Sequence, residues 1–324
     1  MGTGNPALAE TGCGKLQGVE EEGIYSFKGI PYAAPPVGER RWMPPENPAP
    51  WAGTRDASAY GYWAHQNKSD MDAVMGAETG EKSEDCLFLN VWTPGLDDAR
   101  RPVMVWIHGG GWIAGDKAAE VPQLIPYLER GWNVVNVNYR QGPGTAPQAV
   151  DDVMCAYQRV IEIVEASGIP TDQVVVSGAS AGGHLALLVG MLNSDGNHPC
   201  RTASPPKAVV NWFGITDIEA VQEFLSETRP EGNYAAAWIG NAAKVNEISS
   251  QYSPLFLVTE NTPPIITVHG DVDTVVPYEQ ASALHESLST ANRLITIDDG
   301  NHSGFSDAQY RDAFQAIFQF IDDL

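Results

Sequence analysis

The chain has 324 residues, and 19 Lys and Arg residues against 41 Asp and Glu residues give it a formal net charge of −22 at pH 7. A surface this acidic repels phosphodiester backbones and anionic lipid headgroups, so we expect neither a nucleic-acid partner nor membrane binding through basic residues. Hydrophobic residues make up 43% of the chain and charged residues 19%, which is enough apolar material for a sizeable core.

We predict one domain over residues 1–324, since single α/β units commonly exceed the usual ~100–200 residues. No stretch approaches the ~18 uninterrupted apolar residues of a membrane helix, so we expect no membrane insertion. Residues 1–15 lack the basic segment and apolar run of a signal peptide, which slightly favours a soluble cytoplasmic protein. Residues 7–9 nevertheless have the small-residue pattern of a processed signal site, so export with a trimmed signal is the alternative.

The cysteines are widely scattered, with no C-x-x-C pair and no histidine at metal-ligand spacing. We therefore predict neither a metal site nor a dense disulfide framework. Cys155 lies in the apolar-rich segment 152–164, and free cysteines are often buried, so we expect it to be a core residue with a free thiol.

Residues 14–60 are rich in Gly, Pro and aromatic residues, which is typical of short strands joined by fixed turns. We interpret this segment as an N-terminal β-rich extension. Two roles are open for it, an edge layer over the main fold or a part of the entrance to a site.

From about residue 87, short apolar runs rich in β-branched residues alternate with helix-like segments. Such runs, bounded by Gly, Pro or Asn, are typical of strands buried on both faces. The alternation predicts an α/β fold with a mostly parallel, doubly wound central sheet and helices on both faces. The predicted strands are Leu87–Trp92, Val103–Ile107, Val134–Val137, Val174–Val176, Val209–Phe213, Ile265–Val268 and Leu294–Ile297. The predicted helices are Val121–Arg130, Ala149–Ser167, Ala181–Leu192, Glu279–Ser287 and Asp307–Asp323.

Residues 216–253 interrupt this alternation. They are mostly polar with scattered aromatic residues, and they connect the run Val209–Phe213 to the run that begins at Ile265. An insertion at this point would lie above the ends of the strands, so we predict a small cap over a site.

A G-x-S-x-G pattern, Gly178–Gly182, lies between the run Val174–Val176 and the helix-like segment that begins at Ala181. The central serine of such a pattern occupies a strained turn, and the two glycines let strand and helix approach closely. The pattern alone is weak, but its place between a buried strand and an apolar helix is specific. Ser180 is therefore the candidate nucleophile.

The same helix start places the backbone N–H of Ala181 near the substrate carbonyl oxygen, which becomes negative when Ser180 attacks the carbonyl carbon. Further donors should come from the loop after Val103–Ile107, because its glycines leave backbone N–H groups unobstructed. We assign Gly110 and Gly111 as these oxyanion donors, with Gly109 as the neighbour most easily confused with them. Trp112 follows, and it either lines the substrate pocket or packs the loop in place.

A serine nucleophile needs a histidine base, and the imidazole needs an acid that fixes its tautomer. In this strand–turn–helix setting the chain order is Ser, acid, His. His302 fits best, because it lies in a turn-rich loop between the last apolar run and the final helix. Asp271 and Asp273 both follow the run Ile265–Val268. We favour Asp273, because Asp271 directly follows Gly270 and is well placed to stabilise the turn itself.

Taken together, these residues resemble the α/β-hydrolase esterases, and the likeness covers nearly the whole chain. The half before Gly178 is similar to type-B carboxylesterases in Phe27–Ala33, Pro35–Glu39 and Ser83–Pro94. The second half resembles the compact bacterial esterases of the hormone-sensitive-lipase and feruloyl-esterase-like groups in Asn138–Arg140, Gly178–His184 and His269–Pro277.

Two departures separate the chain from type-B enzymes. Those enzymes are longer and usually take a glutamate from a middle insertion as the acid, whereas the pattern at Asp273 belongs to the compact group. They also pair the cysteine at the position of Cys86 with an upstream cysteine, but Ala64 stands where that partner is expected. Cys13 is the alternative partner.

The residues and the resemblance predict a serine carboxylesterase that cleaves small-molecule esters with short acyl chains through an acyl-enzyme, without a cofactor or a metal. One alternative is a feruloyl or acetyl-sugar esterase acting on polymer-linked esters, which cap aromatics such as Trp238 fit. An alternative of another class is a non-catalytic binding protein on a hydrolase scaffold. No oligomeric state is predicted. With only 7 Lys beside 12 Arg, the acid-rich surface also suggests salt tolerance.

Overall fold

The computed structural model describes residues 5–66, 81–97, 99–118 and 120–324. In these residues the chain forms an 11-stranded mixed sheet. The strands are β1 (Asn5–Thr11), β2 (Gly14–Glu21), β3 (Ile24–Pro31), β4 (Thr54–Asp56), β5 (Phe88–Thr93), β6 (Val103–Ile107), β7 (Asn133–Val137), β8 (Val174–Ala179), β9 (Ala208–Trp212), β10 (Ile265–Gly270) and β11 (Asn292–Ile297). They follow the spatial order β1-β2-β3-β5-β7-β6-β8-β9-β10-β11, and β4 pairs with β2.

Parallel pairing runs from β7 through β6, β8, β9 and β10 to β11. The sequence predicted β5 as one of the buried strands of this sheet, but β5 pairs antiparallel with both β3 and β7. In the parallel part the carboxyl ends of the strands meet at one edge of the sheet. The loops that leave β6, β8, β10 and β11 therefore converge there, and these loops carry the candidate site residues.

Helices cover both faces of the sheet because successive strand residues point to opposite sides. In β6, Val103, Val105 and Ile107 belong to one apolar cluster, while Met104 and Trp106 belong to the other. The helices beside the sheet are α1 (Ile125–Glu129), α2 (Ala146–Ala166), α3 (Ala181–Ser194) and α8 (Asp307–Asp322), with α7 (Glu279–Ser287) between β10 and β11. The first cluster includes residues of α2 and α3, and the second includes residues of α1 and α8.

Two segments lie outside this regular alternation. Residues 14–60 contain β2, β3 and β4, and the edge strand β1, which the sequence pattern did not predict, pairs antiparallel with β2. Residues 216–253 fold into α4 (Ile218–Thr228), α5 (Tyr234–Ile239) and α6 (Val245–Tyr252). The side chains of Asp217 and Asn233 cap the first turns of α4 and α5. Within the described ranges, no helix combines the length and apolarity needed to cross a membrane.

Cys155 is buried, as the sequence predicted, but its thiol is not free. Cys155 on α2 forms a disulfide with Cys200, which lies after α3, and the two Cα atoms are 4.9 Å apart. Helices α2 and α3 pack side by side, so the turn after α3 brings together two cysteines that are 45 residues apart in sequence. Cys13 and Cys86 are free. Burial raises the pKa of the Cys86 thiol to about 12, so this thiol is unreactive at neutral pH.

Candidate active site

Ser180 occupies the sharp turn between β8 and α3, with φ 56° and ψ −121°. This conformation is strained for a residue with a side chain, and it is held by a 2.8 Å hydrogen bond from the Ser180 N–H to the Trp212 carbonyl. A Cβ on Gly178 would lie 2.3 Å from the Gly182 carbonyl oxygen, and one on Gly182 would lie 2.0 Å from the Ile107 carbonyl oxygen. Both glycines of the pattern are therefore required for the strand and helix to meet at this serine.

The side chains of His302 and Asp273 form a hydrogen-bonded pair. The Nδ1 atom of His302, in the loop after β11, lies 2.7 Å from Oδ2 of Asp273, in the loop after β10. Asp271, the other acid considered from the sequence, has an exposed side chain. The geometry thus favours Asp273 as the partner of His302.

Asp273 has three further polar contacts. Its Oδ1 accepts the backbone N–H groups of Val275 and Val276 at 2.7 and 2.9 Å, and Nε2 of His269 lies 3.2 Å from its Oδ2 and 2.9 Å from the Val276 carbonyl oxygen. Burial by itself would raise the pKa of this carboxyl, but the hydrogen bonds from His269, His302 and Val276 outweigh burial and hold the pKa well below its usual range. Asp273 is therefore ionised at neutral pH. His269, to which the sequence analysis assigned no role, lies beside the acid with its Nε2–H between Oδ2 of Asp273 and the Val276 carbonyl.

Phe213 packs against His302 and adjoins the hydrogen-bond partner of Ser180, and no sequence pattern predicted this position. Its ring centroid lies 4.6 Å from that of His302, and it directly follows Trp212, whose carbonyl accepts the N–H of Ser180. Phe213 has a positive φ of 41°, which is rare for an aromatic residue. Its only signal in the sequence was an aromatic residue at the carboxyl end of a predicted strand.

The glycine loop after β6 lies beside the start of α3. Among the described residues, the backbone N–H groups of Gly110, Gly111 and Ala181 donate to no protein atom, whereas the N–H of Gly109 donates to the carboxyl of Glu120. Gly110 and Gly111 have φ values of 108° and 60°, which side chains rarely adopt. This arrangement favours Gly110, Gly111 and Ala181 over Gly109 as donors to an oxyanion.

Trp112 is fully buried, which favours its packing role over contact with substrate. Its indole stacks on Trp238 of α5 with centroids 4.3 Å apart, and its Nε1–H donates to Nδ1 of His184 on α3 at 3.2 Å. Nε2 of His184 donates to the Tyr252 carbonyl at 2.7 Å, and burial lowers the pKa of this histidine to about 4. Trp238 is also fully buried, so it has no surface to offer a substrate.

Tyr234, the first residue of α5, is a second contact that the sequence did not reveal. A Cβ on Gly111 would lie 2.8 Å from the Cβ of Tyr234, so this residue packs directly on the glycine loop. The Tyr234 hydroxyl donates to the Val275 carbonyl at 3.0 Å, two residues after Asp273. Tyr234 therefore joins the helices of residues 216–253 to both the glycine loop and the loop of the acid.

Comparisons with known proteins identify the family and the fold. Residues 89–288 match the BD-FAE family. The chain is 34% identical over 242 residues to phenmedipham hydrolase of Pseudarthrobacter oxydans, covering 66% of this chain and 49% of that protein. It is 37% identical over 198 residues to para-nitrobenzyl esterase of Bacillus subtilis, covering 57% and 40%. It is 35% identical over 248 residues to fumonisin B1 esterase of Sphingopyxis macrogoltabida, covering 71% and 44%. The chain thus spans less than half the length of these curated relatives.

Solved structures of esterases share the architecture. A PNB esterase structure matches with a TM-score of 0.60 and 26% identity over 82% of this chain and 63% of its own. A carboxylesterase of Geobacillus stearothermophilus matches with a TM-score of 0.59 and 26% identity over 81% and 62%. The fold is therefore that of the α/β-hydrolases, and the family match over residues 89–288 shows that the chain belongs to the BD-FAE family.

Proposed function

We propose that the protein is a serine carboxylesterase that cleaves small esters through an acyl-enzyme. One observation carries the proposal. Ser180, on its strained turn, and the His302–Asp273 pair follow three strands that end at the same edge of the sheet. The esterase names of the relatives and of the structural neighbours support the same reaction class.

In the proposed reaction, Oγ of Ser180 attacks the ester carbonyl carbon while its proton passes to Nε2 of His302. This nitrogen is free for the proton because Nδ1 donates to Asp273. The ionised Asp273 stabilises the imidazolium that forms. The free N–H groups of Gly110, Gly111 and Ala181 are suited to bind the negative oxygen of the tetrahedral intermediate, whose charge does not exist in the ground state.

Collapse of the intermediate breaks the ester C–O bond, and His302 gives its proton to the departing alcohol oxygen. A water molecule then attacks the acyl-enzyme with the same base, and release of the carboxylic acid regenerates Ser180. The residues named here complete the cycle without a redox partner.

The variant Ser180→Ala tests this function. It should reduce hydrolysis of p-nitrophenyl acetate to the background rate and should abolish labelling by a fluorophosphonate probe. Ser303→Ala is the matched control, because Ser303 is exposed and lies next to His302 in the same loop. An unchanged rate in Ser180→Ala would end the proposal. Failure of the wild-type protein to take up the probe would favour the binding-protein alternative.

For the acyl part of the substrate we propose short chains, roughly acetate to hexanoate. Ser180 and His302 are only 7% and 6% exposed, and Tyr234 packs over Gly111, which leaves little room for a long chain. A lipase, by contrast, needs a large apolar face for aggregated lipid. A series of p-nitrophenyl esters from acetate to dodecanoate should show falling kcat/KM with length, and better turnover of emulsified long-chain triglyceride would contradict this preference.

A feruloyl or acetyl-sugar esterase is the second candidate, and the BD-FAE family match favours it. This candidate would cleave its esters by the same reaction, and only the acyl or alcohol group of its substrate would differ. Methyl ferulate and acetylated xylo-oligosaccharides, compared with ethyl acetate at equal concentration, separate the two. At least a tenfold higher kcat/KM on either polymer-type ester would assign the protein to this candidate.

For the compartment we propose export, because the Cys155–Cys200 disulfide is typical of proteins that mature in an oxidising environment. This reverses the slight preference for the cytoplasm. Alkylation of the protein from its native cells, carried out after denaturation without a reducing agent, should then modify two of its four cysteines and not four.

A further inference from the structure

Glu120 places a carboxyl group behind the glycine loop. Its Oε2 accepts the indole N–H of Trp106 at 2.9 Å, and the backbone N–H of Gly109 lies 3.4 Å from both carboxyl oxygens. The backbone of Glu120 has a positive φ of 61°, a conformation that costs energy for a residue with a Cβ. The fold thus holds Glu120 in a strained backbone conformation, and this conformation places its carboxyl behind the glycine loop.

Gly109 lies close to both the carboxyl of Glu120 and the side chain of Ser180. A Cβ built on Gly109 would lie 3.2 Å from Oε1 of Glu120 and 3.5 Å from Cβ of Ser180. Burial raises the pKa of Glu120 to about 7 despite its hydrogen bonds from Trp106 and Gly109. Among the described residues, no Lys or Arg side chain pairs with it to offset this burial. A carboxyl kept in such a place without a counter-ion is unfavourable for stability alone.

The carbonyl group of Gly109 is also held by a hydrogen bond. Its oxygen accepts Nδ1–H of His108 at 2.8 Å, and the Tyr139 hydroxyl lies 3.1 Å from the His108 carbonyl oxygen and 3.3 Å from that of Gly109. His108 has this tautomer because its Nε2 faces the amide nitrogen of Gln141 at 3.1 Å. Both the N–H and the carbonyl of Gly109 are therefore held, which fixes the direction in which the chain enters Gly110.

We propose that Glu120 is a positioning residue for the oxyanion hole: by holding the N–H of Gly109, it turns the next two N–H groups, those of Gly110 and Gly111, toward the carbonyl oxygen of the substrate. This inference rests on the proposed esterase function. It assigns Glu120 no contact with the substrate and no role in proton transfer.

The isosteric variant Glu120→Gln separates positioning from packing. The amide oxygen keeps the 2.9 Å bond from Trp106 Nε1–H when it takes the position of Oε2, and the NH₂ group then takes the position of Oε1, where it faces the N–H of Gly109 at 3.4 Å and repels it. Side-chain volume is unchanged, so the core remains filled. The contact between this side chain and the N–H of Gly109 is therefore weakened.

The experiment compares an ester with the thionoester that has the same acyl and alcohol groups. A thiocarbonyl sulfur accepts hydrogen bonds much more weakly than an oxygen. The transition state of the thionoester therefore gains less stabilisation from the donors of the oxyanion hole. A fluorophosphonate titration run to completion gives the concentration of competent Ser180. Glu129→Gln, the same change at an exposed acid on α1, is the matched control.

Loss of a whole oxyanion donor costs about 10²–10³-fold in kcat, so a misdirected loop in Glu120→Gln should lower kcat on the ester about tenfold. The KM should stay within about twofold, because the interaction forms in the transition state. Activity on the thionoester should change little, so the ester-to-thionoester ratio falls about tenfold, while in Glu129→Gln it stays at the wild-type value.

An unchanged ratio in Glu120→Gln, or an equal loss on both substrates, would overturn the proposal while leaving the esterase function in place. Absence of Ser180-dependent activity in the wild-type protein would overturn both. If Glu120→Gln does not fold, Trp106→Phe provides the second test, because it removes the other donor that orients the carboxyl. It should also lower the ratio, and an unchanged ratio there would refute the proposal.

Discussion

Asp273→Asn has consequences that follow atom by atom from its hydrogen bonds. The asparagine oxygen must occupy the position of Oδ1, because the backbone N–H groups of Val275 and Val276 point there and cannot turn away. The amide NH₂ then takes the position of Oδ2 and faces Nδ1 of His302. His302 must respond by carrying its proton on Nε2, and that nitrogen can then no longer accept the proton of Ser180.

A wrong tautomer of this kind costs about 10⁴-fold in kcat in a serine hydrolase triad, or about 5 kcal/mol of transition-state stabilisation. The wild-type carboxyl has a lowered pKa, so its contribution to stability is present above the ordinary carboxyl pKa of about 4 and is lost as the pH falls through the lower value in the folded protein. The loss of folding stability that follows protonation of Asp273 at low pH should therefore be absent in Asp273→Asn.

The assay is p-nitrophenyl acetate hydrolysis per fluorophosphonate-titrated site, with thermal unfolding followed from pH 7 downward. Asp271→Asn is the matched control, since the same change two residues away affects an exposed side chain. It should keep wild-type kcat. The reasoning is refuted if Asp273→Asn retains more than about a tenth of wild-type kcat, or if Asp271→Asn shows the large loss instead.

Three further predictions concern stability and the surface. Cys200→Ser opens the disulfide to Cys155, and the chain-entropy relation for a separation of 45 residues gives a loss of about 4 kcal/mol, or a fall of about 6 °C in Tm by calorimetry. An unchanged Tm would mean that the bridge is absent in solution. Gly182→Ala should give no active protein, because the new Cβ would lie 2.0 Å from the Ile107 carbonyl oxygen; wild-type esterase activity in this variant would contradict the close approach of helix and strand. With a net charge of −22, the protein should keep its fold and activity in 2 M NaCl, where salt screens repulsion between acidic groups, and loss of circular dichroism signal and activity there would count against salt tolerance.

Local sequence patterns predicted the regular elements of the parallel sheet well. The runs at Val103–Ile107 and Ile265–Val268 are strands, and the segment Glu279–Ser287 is a helix with those bounds. Side-chain periodicity and turn residues act within a few positions along the chain, so the sequence can reveal them. Ser180 was identifiable for the same reason, because the requirement for glycine at both flanking positions is local.

Features that depend on distant parts of the chain were missed or left open. The Cys155–Cys200 bridge depends on how α2 packs against α3, and the antiparallel pairing of β5 depends on its neighbours in the sheet. The choice between Asp271 and Asp273 rested on a turn argument, whereas the structure distinguishes them by which carboxyl reaches His302.

The sequence by itself determined the class of fold, the candidate nucleophile and the acidity of the chain, because each depends on residue type and short-range spacing. Only the tertiary structure decided which side chains surround that nucleophile. It brought Phe213, Tyr234, His269 and Glu120 to the site from two loops, a helix and a strand. Their positions follow from strand order and helix packing, which depend on the free energy of the whole folded chain and leave no periodic signal in the sequence.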